Sequence, residues 1–443
     1  MSYSNRILIA ILTMTASITL FLYAPAARSE AYSAYVCLLS GLCIYLNVKY
    51  SVRGLWSASS VFIIIFWCFH FGVILSNAAG LNIASATGND IFWRWIDSPY
   101  YTKAEGMALI GIAAFSFITM LRSKQVAEED EESGDLQSSP YYRPLRVLAY
   151  TLLLGGIGGW FYIMLSMGGV TALFAGYAFY LRFIENYSFI STIYWAIGVG
   201  LAILGVINDW RKIRIGIFIF LGWSLIAFVM GLRGEVLYPT CAFLVTYSRQ
   251  TKLPENAKLF VIPVVLLSLI SFVRVYRVDE QVNSDSFNPI YGLLELGGSL
   301  QTVVIAEEWV HNGTDHFRYG ETLLAPFDRL LDKIILANRA EGDKDLRLMN
   351  VAMSERNGPY GFSPIAEGYI NLGAMGVIIL MMLLSILLNY FDTKPVGIIT
   401  DPLTGGITFI LFTFVRNSFS HIPGQTLLLA AIIMITYGIF RKR

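Results

Sequence analysis

The chain has 443 residues, of which 56% are hydrophobic and 14% charged, and its formal net charge is +1. Soluble domains carry nearer a quarter charged residues, so this composition excludes an ordinary water-soluble fold and predicts a polytopic membrane protein. A balance so close to neutral gives no electrostatic ground for naming a partner, and no nucleic-acid partner is expected. The four cysteines, Cys37, Cys43, Cys68 and Cys241, sit inside apolar runs. Their spacing suits neither a disulfide framework nor a metal site, so they read as small core hydrophobes.

Apolar, mostly uncharged runs predict an all-α fold with about twelve transmembrane helices. The expected spans are 7–26, 32–49, 58–78, 104–121, 147–167, 188–207, 215–231, 236–248, 259–273, 364–390, 402–415 and 423–440. The first run, after Arg6, competes with a signal-peptide reading. A retained span is preferred, because the later spans already hold the chain in the membrane. The chain then divides into nine helices over 1–273, one large loop over 274–363 and three helices over 364–443.

Lysine and arginine in short loops set the orientation. Lys49, Arg53, Arg122, Lys124, Arg143, Arg146, Arg211, Lys212, Arg214, Arg249, Lys252, Lys258, Lys394 and the tail Arg441-Lys-Arg443 fall on one side. That side is expected to be the cytoplasm and to hold both termini. The acidic run Glu128-Glu-Asp-Glu-Glu132 shares it and reads as a solvated loop.

The opposite side carries twelve arginines against three lysines, most of them in the large loop. Topology does not distinguish the two residues. A planar, permanently charged fork suits carboxylate and phosphate oxygens. Two segments on this side read as helices lying on the surface: Gly168 to Tyr187, and a second opened by Asn288-Pro289 and ended by Asn312-Gly313. The second places Leu293, Leu296, Leu300, Val303 and Val304 at helical spacing. Such helices either wall a groove at headgroup height or simply pack over the span ends. No internal repeat or Walker-type phosphate loop is present. Asp343-Lys-Asp345 reads as an exposed loop, and His311 and His316 with Asp315 as a wet turn, so no metal is expected.

Five places could carry chemistry. Arg274 and Arg277 share a helix face where a span ends, as a diphosphate clamp or as snorkelling arginines. Arg233, in Arg233-Gly-Glu235, meets either its neighbour Glu235 or substrate phosphate. Ser363-Pro364 is a strong helix start. Glu367 falls one place past the capping-box position, so it either favours the helix N-terminus or acts as a general base. Gly373 and Gly376 allow close helix approach. Arg416 and His421 share the last outer turn with Gln425.

Three stretches carry a family likeness. They are Gly231-Leu-Arg-Gly-Glu235, then Glu295-Leu-Gly-Gly-Ser-Leu-Gln-Thr302 leading to Phe317-Arg-Tyr-Gly320, then Glu367-Gly-Tyr-Ile-Asn-Leu-Gly-Ala-Met-Gly376. With the span layout and one large outer loop, the chain resembles the O-antigen polymerases (Wzy, oligosaccharide repeat unit polymerases). Gly368 departs from the apolar residue that relatives often carry there. The resemblance implies a GT-C-like helical architecture in a bacterial inner membrane, with the large loop periplasmic. It implies glycosyl transfer between a growing glycan on undecaprenyl diphosphate and a repeat unit on the same lipid, with a Wzz-type chain-length regulator as a possible partner. No cofactor and no metal follow from it. The candidate catalytic residues are then Glu367, His421 and Glu295. The candidate diphosphate- and substrate-binding residues are Arg233, Arg274, Arg277, Arg318, Arg356, Arg416 and Tyr369. An O-antigen ligase-type transferase and a lipid-linked glycan transporter are the alternatives. A transporter keeps charge near the membrane midplane, whereas here charge crowds at one face.

Overall fold

A computed structural model describes residues 3–81, 93–122, 141–174, 179–180, 189–255, 292, 294, 296–332 and 345–441. Among these residues the chain is helical, with no strand. In chain order the α-helices are α1 (Tyr3–Leu22), α2 (Glu30–Tyr50), α3 (Ala58–Ala78), α4 (Tyr101–Leu121), α5 (Tyr142–Gly168), α6 (Ile190–Leu204), α7 (Trp210–Met230) and α8 (Arg233–Ser248). They continue with α9 (Leu300–His311), α10 (Glu321–Leu331), α11 (Met349–Arg356), α12 (Pro364–Thr393), α13 (Thr400–Phe414) and α14 (Ile422–Arg441).

Local chemistry sets several of these boundaries. The Ser29 hydroxyl accepts the Tyr32 N–H at 3.3 Å and starts α2. Asp209 accepts the Arg211 N–H at 3.0 Å and starts α7, and Gly231 ends that helix at φ 90°. Ser363 accepts the Ala366 N–H at 3.2 Å ahead of Pro364, as the Ser-Pro start predicts.

Among the described residues, eight segments are long and apolar enough to cross a membrane: α1 to α5, α7, α12 and the run from Phe419 through α14. The shorter α6, α8 and α13 stand at three more expected positions. The expected span 259–273 lies outside the described residues. Leu8 and Leu12 on α1, Phe218 and Leu225 on α7, and Leu383 on α12 are exposed. Apolar faces of this kind are unfavourable in water and cost nothing against lipid tails. The chain is an all-helical, multi-pass membrane protein.

Packing forms two compact units. The first joins Met1–Gln125, Asn288–Asp392 and Phe414–Gly424. Polar side chains tie its helices together: Asn47 Nδ2 donates to Thr119 Oγ1 at 2.9 Å, and Asn389 Nδ2 donates to the same oxygen at 3.0 Å. Asp392 caps α3 by accepting from Ala58 N at 2.7 Å, Ser59 N at 3.1 Å and Ser59 Oγ at 2.9 Å.

The helix expected on the surface before Asn312-Gly313 packs inward instead. Leu300 to Glu307 and Trp309 of α9 are all buried. Backbone closeness explains this: a methyl built on Gly297 would lie 2.8 Å from the Gly72 Cα. Residues 288–291, 293 and 295 of that segment and most of the expected helix Gly168 to Tyr187 lie outside the described residues; Gly169–Phe174 forms a 3-10 turn.

The second unit joins Val126–Phe287, Thr393–Thr413 and Gln425–Arg443. Glycines bring α5 and α6 together: a methyl on Gly200 would meet the Leu153 amide at 2.6 Å. Its polar core is a buried ion pair, Arg249 Nε to Asp401 Oδ1 at 2.8 Å.

Candidate functional site

One end of the first unit gathers the chemistry-bearing residues. Thr102, at the start of α4, donates to the Pro25 carbonyl at 2.5 Å, and the Tyr100 ring meets His311 at 4.9 Å. The Ser418 amide donates to Asn350 Oδ1 at 3.0 Å, and the Phe362 amide to the Arg416 carbonyl at 3.3 Å. The turns after α1, α9 and α13 therefore share this end with the starts of α4 and α12.

The expected single span 364–390 is broken at this end. Leu372 (φ −144°, ψ 27°) and Gly373 (φ 61°, ψ −148°) interrupt α12. Beyond the break the chain doubles back, so that a methyl on Gly368 would meet the Gly376 carbonyl and Val377 backbone at 2.8 Å. The close approach expected of Gly376 is thus to Gly368 of its own segment. Asn371 fixes the break from outside. Its Nδ2 donates to Thr322 Oγ1 at 2.7 Å, its Oδ1 accepts the Gly320 amide at 2.8 Å and its carbonyl accepts the Tyr319 amide at 3.0 Å. Those bonds hold Tyr319 at φ 48°, a left-handed conformation that tyrosine rarely adopts, with its side chain exposed.

The Phe317-Arg-Tyr-Gly320 stretch carries an arginine cluster. Arg318 Nη2 donates to Asp315 Oδ2 at 2.9 Å and Nη1 to Glu321 Oε2 at 3.1 Å. Arg356 Nη1 donates to the same Asp315 oxygen at 2.8 Å, and its guanidinium lies 4.9 Å above the Trp309 ring. Burial pushes the Asp315 carboxyl up, but the Arg318 and Arg356 hydrogen bonds outweigh it and hold the group below its ordinary value. One carboxylate thus anchors two forks. Arg318 Nε is buried without a partner. Arg356 places its Nη1 on Asp315.

Glu367, Tyr369, Arg416 and His421 lie around the same break. Glu367 is buried, and its Oε2 accepts the Phe419 amide at 3.3 Å while Thr322 stands beside it. Tyr369 is buried with its ring edge-on to Phe317 at 5.9 Å. Arg416 is exposed and forms no ion pair among the described residues. His421, half-buried, ends the turn Phe419–His421 that Glu367 anchors.

Other expected site residues lie elsewhere. Arg233 opens α8 in the second unit. Arg274, Arg277 and Glu295 lie outside the described residues. Asp345 is held by Arg347 at 3.0 Å, and its partner in the carboxylate pair, Asp343, also lies outside them. His311 Nδ1 is 3.0 Å from the Glu307 carbonyl and His316 stands exposed beside Asp315. No group of three metal-ligating side chains gathers among the described residues.

Residues 5–442 match the family profile described as O-antigen polysaccharide polymerase Wzy. The chain belongs to that family. It is also 22% identical to Protein CapE of Staphylococcus aureus over 399 residues, covering 89% of this chain and 86% of that one. No solved structure matches. The Wzy family polymerises polysaccharide repeat units, and its membrane-embedded members act on lipid-linked sugars. The break in α12 and the Asp315 cluster therefore belong to a polymerase of polysaccharide synthesis.

Sequence reasoning placed Asp315 only in a wet turn, quoted Asn371 without a role and did not single out Trp309; these three position this Wzy polymerase's arginines and its α12 break. No local spacing announces them, because Asp315 meets Arg356 41 positions away and Asn371 meets Thr322 49 away.

Proposed function

We propose that this Wzy polymerase joins repeat units carried on undecaprenyl diphosphate at the periplasmic face of the inner membrane. The observation that carries the reading is the gathering of Arg318, Arg356 and Arg416 around the α12 break, beside Glu367, Tyr369 and His421. An acceptor hydroxyl attacks the anomeric carbon of the donor glycan, and undecaprenyl diphosphate leaves. The charge that develops on the leaving diphosphate is the main barrier. Guanidinium donors fixed before the reaction stabilise it without reorganising. Asp315 does the fixing for Arg318 and Arg356, Trp309 supports the second fork, and Arg416 remains free to meet the lipid headgroup. Glu367 holds the turn Phe419–His421 and so sets where Arg416 and His421 stand. Arg233, Arg274 and Arg277 remain candidate substrate-binding residues and Glu295 a candidate catalytic residue. A Wzz-type regulator sets chain length.

Deleting the gene tests this. The expected result is surface glycan capped at one repeat unit. An unchanged long ladder would remove the proposal. Free lipid-linked polymer of normal length would favour the ligase, and loss of all outer-leaflet glycan the transporter.

A further inference from the structure

The same end of the first unit holds a carboxylate with nothing bound to it. Glu307 on α9 is 0% exposed, and neither of its side-chain oxygens has a hydrogen-bond partner. Bare buried carboxylate oxygens are costly, and a fold that keeps them puts them to use. Titratable groups from α4, α2 and α12 act on Glu307 electrostatically. Lys103, from the first turn of α4, supplies the nearest opposite charge. Tyr32 on α2 and Tyr369 on α12 lie within its electrostatic reach, and Glu105 on α4 acts on the same Tyr32. Glu105 accepts from Ser33 Oγ at 2.6 Å through Oε1, while its Oε2 is buried without a partner. One turn along α9, His311 bonds the Glu307 backbone carbonyl at 3.0 Å and faces the Tyr100 ring. Lys103 is exposed.

Three other carboxylates of the first unit are committed. Asp315 and Asp345 are held by arginines, and Glu367 by the Phe419 amide. Glu307 alone among these four has both oxygens bare.

We propose that Glu307 is the catalytic residue that takes the proton from the acceptor hydroxyl; this rests on the glycosyl-transfer reading above. The carboxylate accepts the hydroxyl proton. The oxygen's electron pair forms the bond to the donor's anomeric carbon, and the anomeric carbon–oxygen bond breaks onto the diphosphate, which leaves as the anion. The resulting carboxylic acid returns its proton to water. Tyr369, beside both Glu307 and the Arg318 loop, links this base to the diphosphate-binding arginines. Burial pushes the Glu307 carboxyl up to about 8 against the opposing pull of Lys103. A group of that kind is about one-tenth ionised at pH 7 and basic enough to take a proton when it is.

The test uses membranes from a gene-deleted strain carrying wild type, E307Q or E307D, supplied with lipid-linked repeat unit. Wild-type elongation should rise about tenfold from pH 6 to pH 7 and level off above pH 8. E307Q should lose about a hundredfold or more at unchanged protein level, and its residual rate should lose the pH rise. E307D should elongate slowly with its pH limb displaced. E307Q within about threefold of wild type, or keeping the limb, overturns the proposal. Where E307Q fails to accumulate, E307D decides: an undisplaced limb at wild-type rate overturns it. Failure of the polymerase reading itself shows separately, as no elongation by wild type.

Discussion

Arg356 and Arg416 differ in how much of their charge is already committed. Arg356 places one nitrogen on Asp315 and its face on Trp309, whereas Arg416 is exposed and without an ion pair among the described residues. On the proposed function, removing either fork takes away donors aimed at the leaving diphosphate. Arg356→Ala and Arg416→Ala are each expected to lower elongation about a hundredfold. Lysine at either position should restore little, because a point charge does not replace a planar fork. Elongation rates in membranes with equal protein content check this, and near-wild-type rates in Arg416→Lys would contradict it. Residue type alone makes these arginines candidates. The Asp315 anchor of Arg356 was not legible in this way, since Asp315 and Arg356 come from distant positions. Glu307 was half legible: Leu300, Val303 and Val304 mark an apolar stripe, and Glu307 continues it with a carboxyl. The stripe was read as amphipathic and the carboxyl on it went unremarked.

At the scale of the helix, α12 departs most from its sequence pattern. Its apolar run reads as one uninterrupted span, because a hydropathy pattern registers length and polarity but not backbone reversal. The signal lay in Asn371-Leu-Gly373 and in Gly368. Gly373 adopts φ 61° and ψ −148°, which only glycine reaches without strain, and Gly368 lets Gly376 approach. A methyl on Gly376 would run into the Gly368 carbonyl, so Gly376→Ala forces the two legs apart. It should cost about 1–3 kcal/mol of stability and displace the Asn371 clamp on Tyr319 and Gly320. Thermal unfolding in detergent measures the first, and elongation rate the second. A variant unchanged in both would contradict the close approach.

Across the whole molecule, the span positions were legible because lipid selects long apolar helices, whatever their partners. The grouping into two units was not, because each unit assembles segments far apart in the chain. Charge counting likewise treats Arg249 as a loop cation, yet it is buried against Asp401 with side-chain exposures of 1% and 0%. Asp401→Ala leaves that guanidinium charged and uncompensated, and should destabilise the second unit by about 3–5 kcal/mol. Lower protein accumulation and an earlier unfolding transition are the expected signs; an unaltered transition would argue against the pair. The most direct test of the account is purified protein in liposomes supplied with undecaprenyl-diphosphate-linked repeat unit and no other enzyme. The account predicts glycan lengthening with one undecaprenyl diphosphate released per new linkage, abolished together by Arg356→Ala. Repeat units that stay single with wild-type protein, or lengthening without release of the lipid diphosphate, would contradict it.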